Sequence, residues 1–93
     1  MAEELPEHRL KRLRMRSMRR GIKEMDLILS DFARRRLADY DAPQLSLYEA
    51  LLEESDLDIY TWVSGQAAAP DRFAPLVAEI AAGATGLTRP HAT

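Results

Sequence analysis

The chain has no cysteine, so neither a disulfide nor a thiolate can contribute to its stability or chemistry, and it suits a reducing compartment. Its histidines, His8 and His91, lie in a polar terminal stretch and in a small-residue tail, away from any acidic cluster at metal-ligand spacing. They offer no candidate for metal binding and none for catalysis. Gly21, Gly65, Gly83 and Gly86 stand apart, whereas a phosphate cradle or dinucleotide fingerprint needs its glycines clustered. No apolar run approaches the roughly 20 residues that cross a bilayer. Met1 to Glu7 is acidic where a targeting peptide would be basic, so the protein is expected to stay where it is made. No stretch alternates with period two, and no strand is expected.

What is present suits one small domain. A chain of 93 residues closes a single hydrophobic core, and at this size it buries only ~60 to 65% of its unfolded surface. An apolar share of 46% with 30% charged residues fits short helices whose surface outweighs their interior. The charges are segregated. Arg9 to Arg36 holds eleven basic and three acidic residues, while Leu37 to Thr93 holds two basic and nine acidic. A cationic end of this kind can steer an anionic partner, whether nucleic acid, membrane surface or acidic protein face.

Apolar spacing divides the chain into five helices, an all-α bundle over residues 1–83 followed by a disordered tail over residues 84–93. The first runs from Pro6 to Arg19 with Leu10, Leu13 and Met18 inward, and Gly21 reads as a left-handed stop. The second carries the stripe Met25, Ile28, Leu29, Phe32, Leu37 and Tyr40, ending before the turn Asp41-Ala42-Pro43. Ser46 with Glu49 reads as the capping box of a short third helix that turns Tyr48, Leu51 and Leu52 inward. Ser55 with Asp58 repeats the device for a fourth, in which Leu57, Tyr60 and Val63 share a face until Gly65. Trp62 points elsewhere than Tyr60; it is expected to pack on the second helix, leaving the Tyr60 hydroxyl for a polar partner. Asp71 is the expected cap of a fifth helix with Phe73, Leu76, Val77 and Ile80 inward, Pro75 in or just after its first turn, and Gly83 as its stop. The fifth is the least firmly held.

The arginine-rich first helix can be a phosphate tracker, a solvated face or a protein-docking face. Against the first stands the lack of any aromatic interleaved with its arginines to stack bases. Arg19-Arg20-Gly21-Ile22-Lys23-Glu24 reads as a helix corner with Glu24 in the first turn of the next helix, where acids are favoured. That explains Gly21 and Glu24. It explains less readily why Arg20, Gly21 and Glu24 sit together at the seam between the cationic helix and the main apolar stripe.

On those residues the chain resembles the succinate dehydrogenase assembly factors of the SdhE type, known in mitochondria as assembly factor 2. Arg20-Gly21-Ile22-Lys23-Glu24 matches the family's R-G-x-x-E signature. Asp26-Leu27-Ile28-Leu29 with Phe32-Ala33, then Leu45-Ser46-Leu47-Tyr48-Glu49, then Asp58-Ile59-Tyr60-Thr61-Trp62 follow in order. The first helix departs from the pattern, with Met15 where relatives often carry an aromatic. The resemblance implies a five-helix bundle without catalytic residues, metal or stably bound cofactor. It implies a monomer that binds the flavoprotein subunit of succinate dehydrogenase and promotes covalent attachment of that subunit's FAD, in a bacterial cytoplasm or a mitochondrial matrix. The expected partner-binding residues are Arg20, Gly21 and Glu24, with Arg12, Arg16, Arg19 and Asp26 around them, and no nucleic acid or membrane is expected to bind. The alternative is an antitoxin-like or nucleic-acid-binding regulatory module.

Overall fold

Each amphipathic segment folds as a helix. The computed structural model describes residues 4–84 and contains α1 (Pro6–Arg16), α2 (Lys23–Arg36), α3 (Ala42–Leu52), α4 (Asp56–Val63) and α5 (Ala74–Ala84). A 3-10 turn over Leu37–Asp39 extends α2, and among the described residues there is no strand. None of these helices is long and apolar enough to cross a membrane. The α2 stripe is the axis of the core: Met25, Ile28, Leu29 and Phe32 are buried, and α2 packs against α1, α4 and α5. The Phe32 ring stacks on Tyr48 of α3 at 5.7 Å and meets Tyr40 edge-on at 6.1 Å.

The caps depart from the expected ones in instructive ways. α3 starts not at Ser46 but at Ala42, because Asp41 accepts from the Gln44 N–H while the Gln44 side chain accepts from the Asp41 N–H. Pro43 fits inside that first turn, where its missing N–H has no role, so the proline that read as a break is part of the helix. Ser55 does cap α4, its hydroxyl accepting from the Asp58 N–H at 3.1 Å, and Gly65 closes α4 in the left-handed region at φ 83°. α5 begins at Ala74 rather than from an Asp71 cap, with Pro75 in its first turn, and runs through Gly83 to Ala84 instead of stopping there. At Gly83 a Cβ would meet the Arg35 guanidinium, the end of a flexible side chain that would have to shift to admit it. The rest of the expected tail, residues 85–93, lies outside the described residues.

Three side chains also sit differently from their expected places. Leu57 is 66% exposed and Ile59 is the buried residue of α4; the two lie about 200° apart around the helix, so burying one turns the other to solvent. Trp62 stacks on Phe73, just ahead of α5, at 6.2 Å, a partner its expected place did not include. The Tyr60 hydroxyl makes no hydrogen bond among the described residues; the tyrosine hydroxyls that find partners are Tyr48, 2.6 Å from Ser17 Oγ, and Tyr40, donating to Glu79 at 2.7 Å. Burial pushes the Tyr48 hydroxyl up to about 12.

The charge segregation is resolved inside the fold. α1 buries only Leu13, and its arginines reach across to the acidic residues of α3 and the segments that follow it. Arg9 donates to Ser46 at 2.9 Å and to Glu49 at 3.3 Å, Arg12 to Glu49 at 2.7 Å and to Glu4 at 2.8 Å, and Arg16 to Glu53. Ser46 and Glu49, read from sequence as a cap, are therefore rungs of this ladder. α5 buries Leu76, Val77 and Ile80, whereas α1 buries only Leu13 and α4 only Ile59, so by buried apolar side chains α5 is not the least firmly held helix.

The Arg12 guanidinium holds the Glu49 carboxyl below its usual 4.5, with Arg9 adding to the effect. A carboxylate with a depressed folded value stabilises the fold above its unfolded value and loses that contribution as pH falls through the folded one. Glu49→Gln is therefore expected to leave the melting temperature less sensitive to acid below about pH 4.5, while shifting it downward near neutrality by the few degrees that ~0.5 to 1 kcal/mol represents. Thermal melts of both proteins across that range check this; parallel acid limbs would remove Glu49 from the ladder's energetics.

Candidate functional site

The corner between α1 and α2 begins where Ser17 ends α1. Ser17 is fully buried, and its Oγ donates to the Leu13 carbonyl at 2.8 Å, which leaves that oxygen to accept from Tyr48 O–H. The chain then turns sharply at Arg19, whose φ of 55° makes it the left-handed residue of the corner. Gly21, expected to take that role, is not in the left-handed region. The Arg19 conformation costs about 1 kcal/mol for a residue with a Cβ, and its N–H is held by Asp26 Oδ1 at 2.7 Å. Asp26, expected on the partner face, thus closes the corner from inside.

Arg20 points inward. Its side chain is only 12% exposed, and Nε donates to Asp56 Oδ1 at 2.7 Å, Nη1 to the Arg16 carbonyl at 3.0 Å and Nη2 to the Leu52 carbonyl at 3.2 Å. The second oxygen of Asp56 accepts the Gly21 N–H. A Cβ on Gly21 would stand 3.1 Å from that oxygen, so what favours glycine here is the close approach to Asp56 rather than its dihedral angles, and Asp56 would have to give by a few tenths of an ångström to admit a side chain.

Beyond the clamp the surface opens. Lys23 and Glu24, in the first turn of α2, are exposed and make no ion pair among the described residues. Beside them lies a shallow hollow shared by Leu27 and Ser30, with Asp26, Lys23 and Glu24 on one side and Met18, Arg14, Asp31 and Arg34 on the other. Met18 (44%) and Leu27 (46%) are exposed apolar side chains lining this hollow, whereas Met15 (60%) lines a separate one with His8, Lys11, Arg12 and Arg16. Isolated exposed apolar residues are ordinary, but these two around one hollow with charged edges have the form of a docking patch.

Of the residues expected to bind a partner, Gly21, Glu24 and Arg19 come together at this corner, while Arg12 and Arg16 are engaged in the ladder and Arg20 and Asp26 brace the turn. Of the arginines that would have tracked a nucleic-acid backbone, Arg9, Arg12, Arg16 and Arg20 are matched to carboxylates, while Arg14 and Arg19 make no ion pair among the described residues. Among the described residues no three histidine, cysteine or acidic side chains gather at metal-binding distance. Sequence reasoning missed Asp56, which lies 36 positions from Arg20 with no local signal linking them, and Leu27, which stands off the apolar stripe.

A family model described as flavinator of succinate dehydrogenase matches residues 11–84. The mitochondrial succinate dehydrogenase assembly factor 2 of Schizosaccharomyces pombe is 44% identical over 64 residues, covering 69% of this chain and 46% of that protein. Its namesake from Schizosaccharomyces japonicus is 45% identical over 62 residues, 67% of this chain and 43% of that protein. The mitochondrial assembly factor 2-B of Drosophila mojavensis is 41% identical over 69 residues, 72% of this chain and 44% of that protein. The chain spans about half the length of the curated relatives it matches.

The close approach at Gly21 can be measured. Gly21→Ala is expected to cost up to about 1 kcal/mol, because Asp56 is held by Arg20 and gives way poorly. In an Asp56→Ala background the same substitution is expected to be neutral or stabilising, since alanine then only restricts the unfolded chain. Denaturant unfolding of the four proteins checks this, and an equal cost in both backgrounds would show that Asp56 is not the reason for the glycine.

Proposed function

The chain belongs to the family of succinate dehydrogenase flavinators, and from that premise we propose that it is a non-enzymatic assembly factor that docks, as a monomer, on the flavoprotein subunit of succinate dehydrogenase and promotes covalent attachment of FAD to that subunit. It does so where the flavoprotein is made ready for assembly, in the bacterial cytoplasm or the mitochondrial matrix. The partner supplies the nucleophile and holds the flavin. A factor without reactive groups accelerates such a self-catalysed step when it binds the reactive arrangement of its partner more tightly than the unreactive one. FAD is therefore the partner's substrate and not a resident group of this chain.

The observation that carries the docking face is the exposed Lys23, Glu24 and Leu27 edge, left without internal partners while neighbouring arginines are matched to carboxylates. Leu27 with Met18 supplies a desolvating centre, and Glu24 and Lys23 supply charges at its rim that set orientation and encounter rate. Gly21 contributes indirectly: a side chain there would drive toward Asp56 before it met a partner.

Glu24→Ala and Leu27→Asp each change an exposed side chain and are expected to leave stability within about 0.5 kcal/mol of the parent. Each is expected to reduce covalent flavin formed on the purified apo-flavoprotein subunit, incubated with FAD and limiting factor, by at least about tenfold, the loss of one good interfacial contact. Covalent flavin is read by fluorescence of the denatured subunit on a gel, beside a thermal melt of each variant. Two folded variants with undiminished flavin attachment would overturn this docking face.

A further inference from the structure

We propose that Asp56, in the first turn of α4, is a positioning residue for partner recognition, holding Arg20 and Gly21 so that the Lys23 and Glu24 turn is presented in its docking orientation. The inference rests on the docking reading above. It assigns the arginine of the Arg20-Gly21-Ile22-Lys23-Glu24 motif to the inside of the protein. All three guanidinium nitrogens of Arg20 are directed at Asp56, Arg16 and Leu52, engaging three of its five N–H donors, and at 12% exposure the side chain has little surface left for a partner. Both oxygens of Asp56 are likewise engaged, one by Arg20 and one by the Gly21 N–H.

The clamp acts on α2 through a very short lever. Ile22, the residue between Gly21 and α2, is extended (φ −112°, ψ 126°) and has no side-chain cap. The start of α2 thus hangs on the Gly21 anchor on one side and on the Arg19 N–H to Asp26 bond on the other. Glu24 lies three residues beyond the anchor, so a shift of Gly21 away from α4 carries the Glu24 carboxylate with it. Asn at position 56 preserves the shape but has one acceptor oxygen, and its NH2 would face either the guanidinium or the Gly21 N–H. Lys at position 20 keeps the charge but cannot fork to three separated acceptors.

Two measurements on the full chain test this. In the first, amide hydrogen exchange is followed by NMR: Asp56→Asn is expected to speed exchange at Gly21 by at least about tenfold while the amides of α5 are unchanged, the sign of a local opening. In the second, flavin attachment is titrated against factor concentration. Asp56→Asn and Arg20→Lys are each expected to raise the half-saturating concentration by at least about tenfold with the maximal rate retained, and the double variant is expected to be no worse than either, as for residues that act as one unit. Ile80→Val, a core substitution on α5 away from the corner, lowers the melting temperature but is expected to leave the half-saturating concentration unchanged. Unchanged Gly21 exchange in Asp56→Asn, additive losses in the double variant, or a shift in Ile80→Val matching that of Asp56→Asn would each overturn the proposal. A parent chain that does not promote attachment at all overturns the docking reading and this proposal with it; active parent and undiminished Asp56→Asn overturn this proposal alone.

Discussion

One guanidinium meets the carbonyl ends of α1 and α3 and the acidic first residue of α4. Helix C-termini present unpaired carbonyls and a partial negative charge, and N-termini a partial positive charge. Arg20 places a full cation at two negative ends and Asp56 places an anion at a positive one, so the pair and the three helix termini stabilise one another. The arrangement is largely shielded from water, the Arg20 side chain being 12% and the Asp56 side chain 17% exposed. Removing either partner leaves the other desolvated and unmatched, at a cost of several kcal/mol where burial is complete. The approach of the α1–α2 corner to α3 and α4 and the fit of Gly21 against α4 are made through this contact.

The same logic explains why a helix as polar as α1 stays on the body of the protein. Burial of Leu13 and the Ser17 to Tyr48 hydrogen bond are its apolar and neutral anchors, and the arginine ladder does the rest. Single exposed ion pairs contribute about 0 to 1 kcal/mol each, but here Glu49 is shared by Arg9, Arg12 and Arg16, and a shared carboxylate fixes several long side chains at once. Such a helix is held by interactions that salt screens, so its attachment depends on ionic strength more than that of α5. The opposite charges of the two halves of the sequence are thus chiefly a device for joining them.

Helix positions were legible because the apolar stripe of α2 and the inward residues of α3 and α5 repeat with the helical period, and four of the five helices start within about three residues of a recognisable cap or proline. Caps with competing local candidates were not. Ser46 and Asp41 both head a plausible box, and the fold uses Asp41, whose box with Gln44 is complete, while Ser46 and Glu49 meet Arg9 instead. Leu57 was misplaced because two apolar residues a step apart, Leu57 and Ile59, suit opposite phases of one short helix. At the corner, the identities of Gly21 and Glu24 marked the place, but the left-handed residue is Arg19 and the tight neighbour of Gly21 is Asp56. Contacts made across the chain leave no local pattern in sequence.

A rigid corner also fits what a non-enzymatic factor has to do. Each tenfold acceleration requires about 1.4 kcal/mol of preference for the partner's reactive arrangement, and only interaction free energy that survives the cost of docking can supply it. Ordering a loose turn on contact costs about 1 to 2 kcal/mol per residue, so a floppy Gly21 to Glu24 segment would consume several tenfold steps before any preference was expressed. Here that ordering is completed during folding: Asp56 fixes Gly21, Asp26 fixes Arg19, and the roughly 1 kcal/mol of left-handed strain at Arg19 is carried by the folded domain rather than by the encounter. The intramolecular clamp and the exposed edge beside it are on this view two halves of one device, the first making the second stiff enough to discriminate.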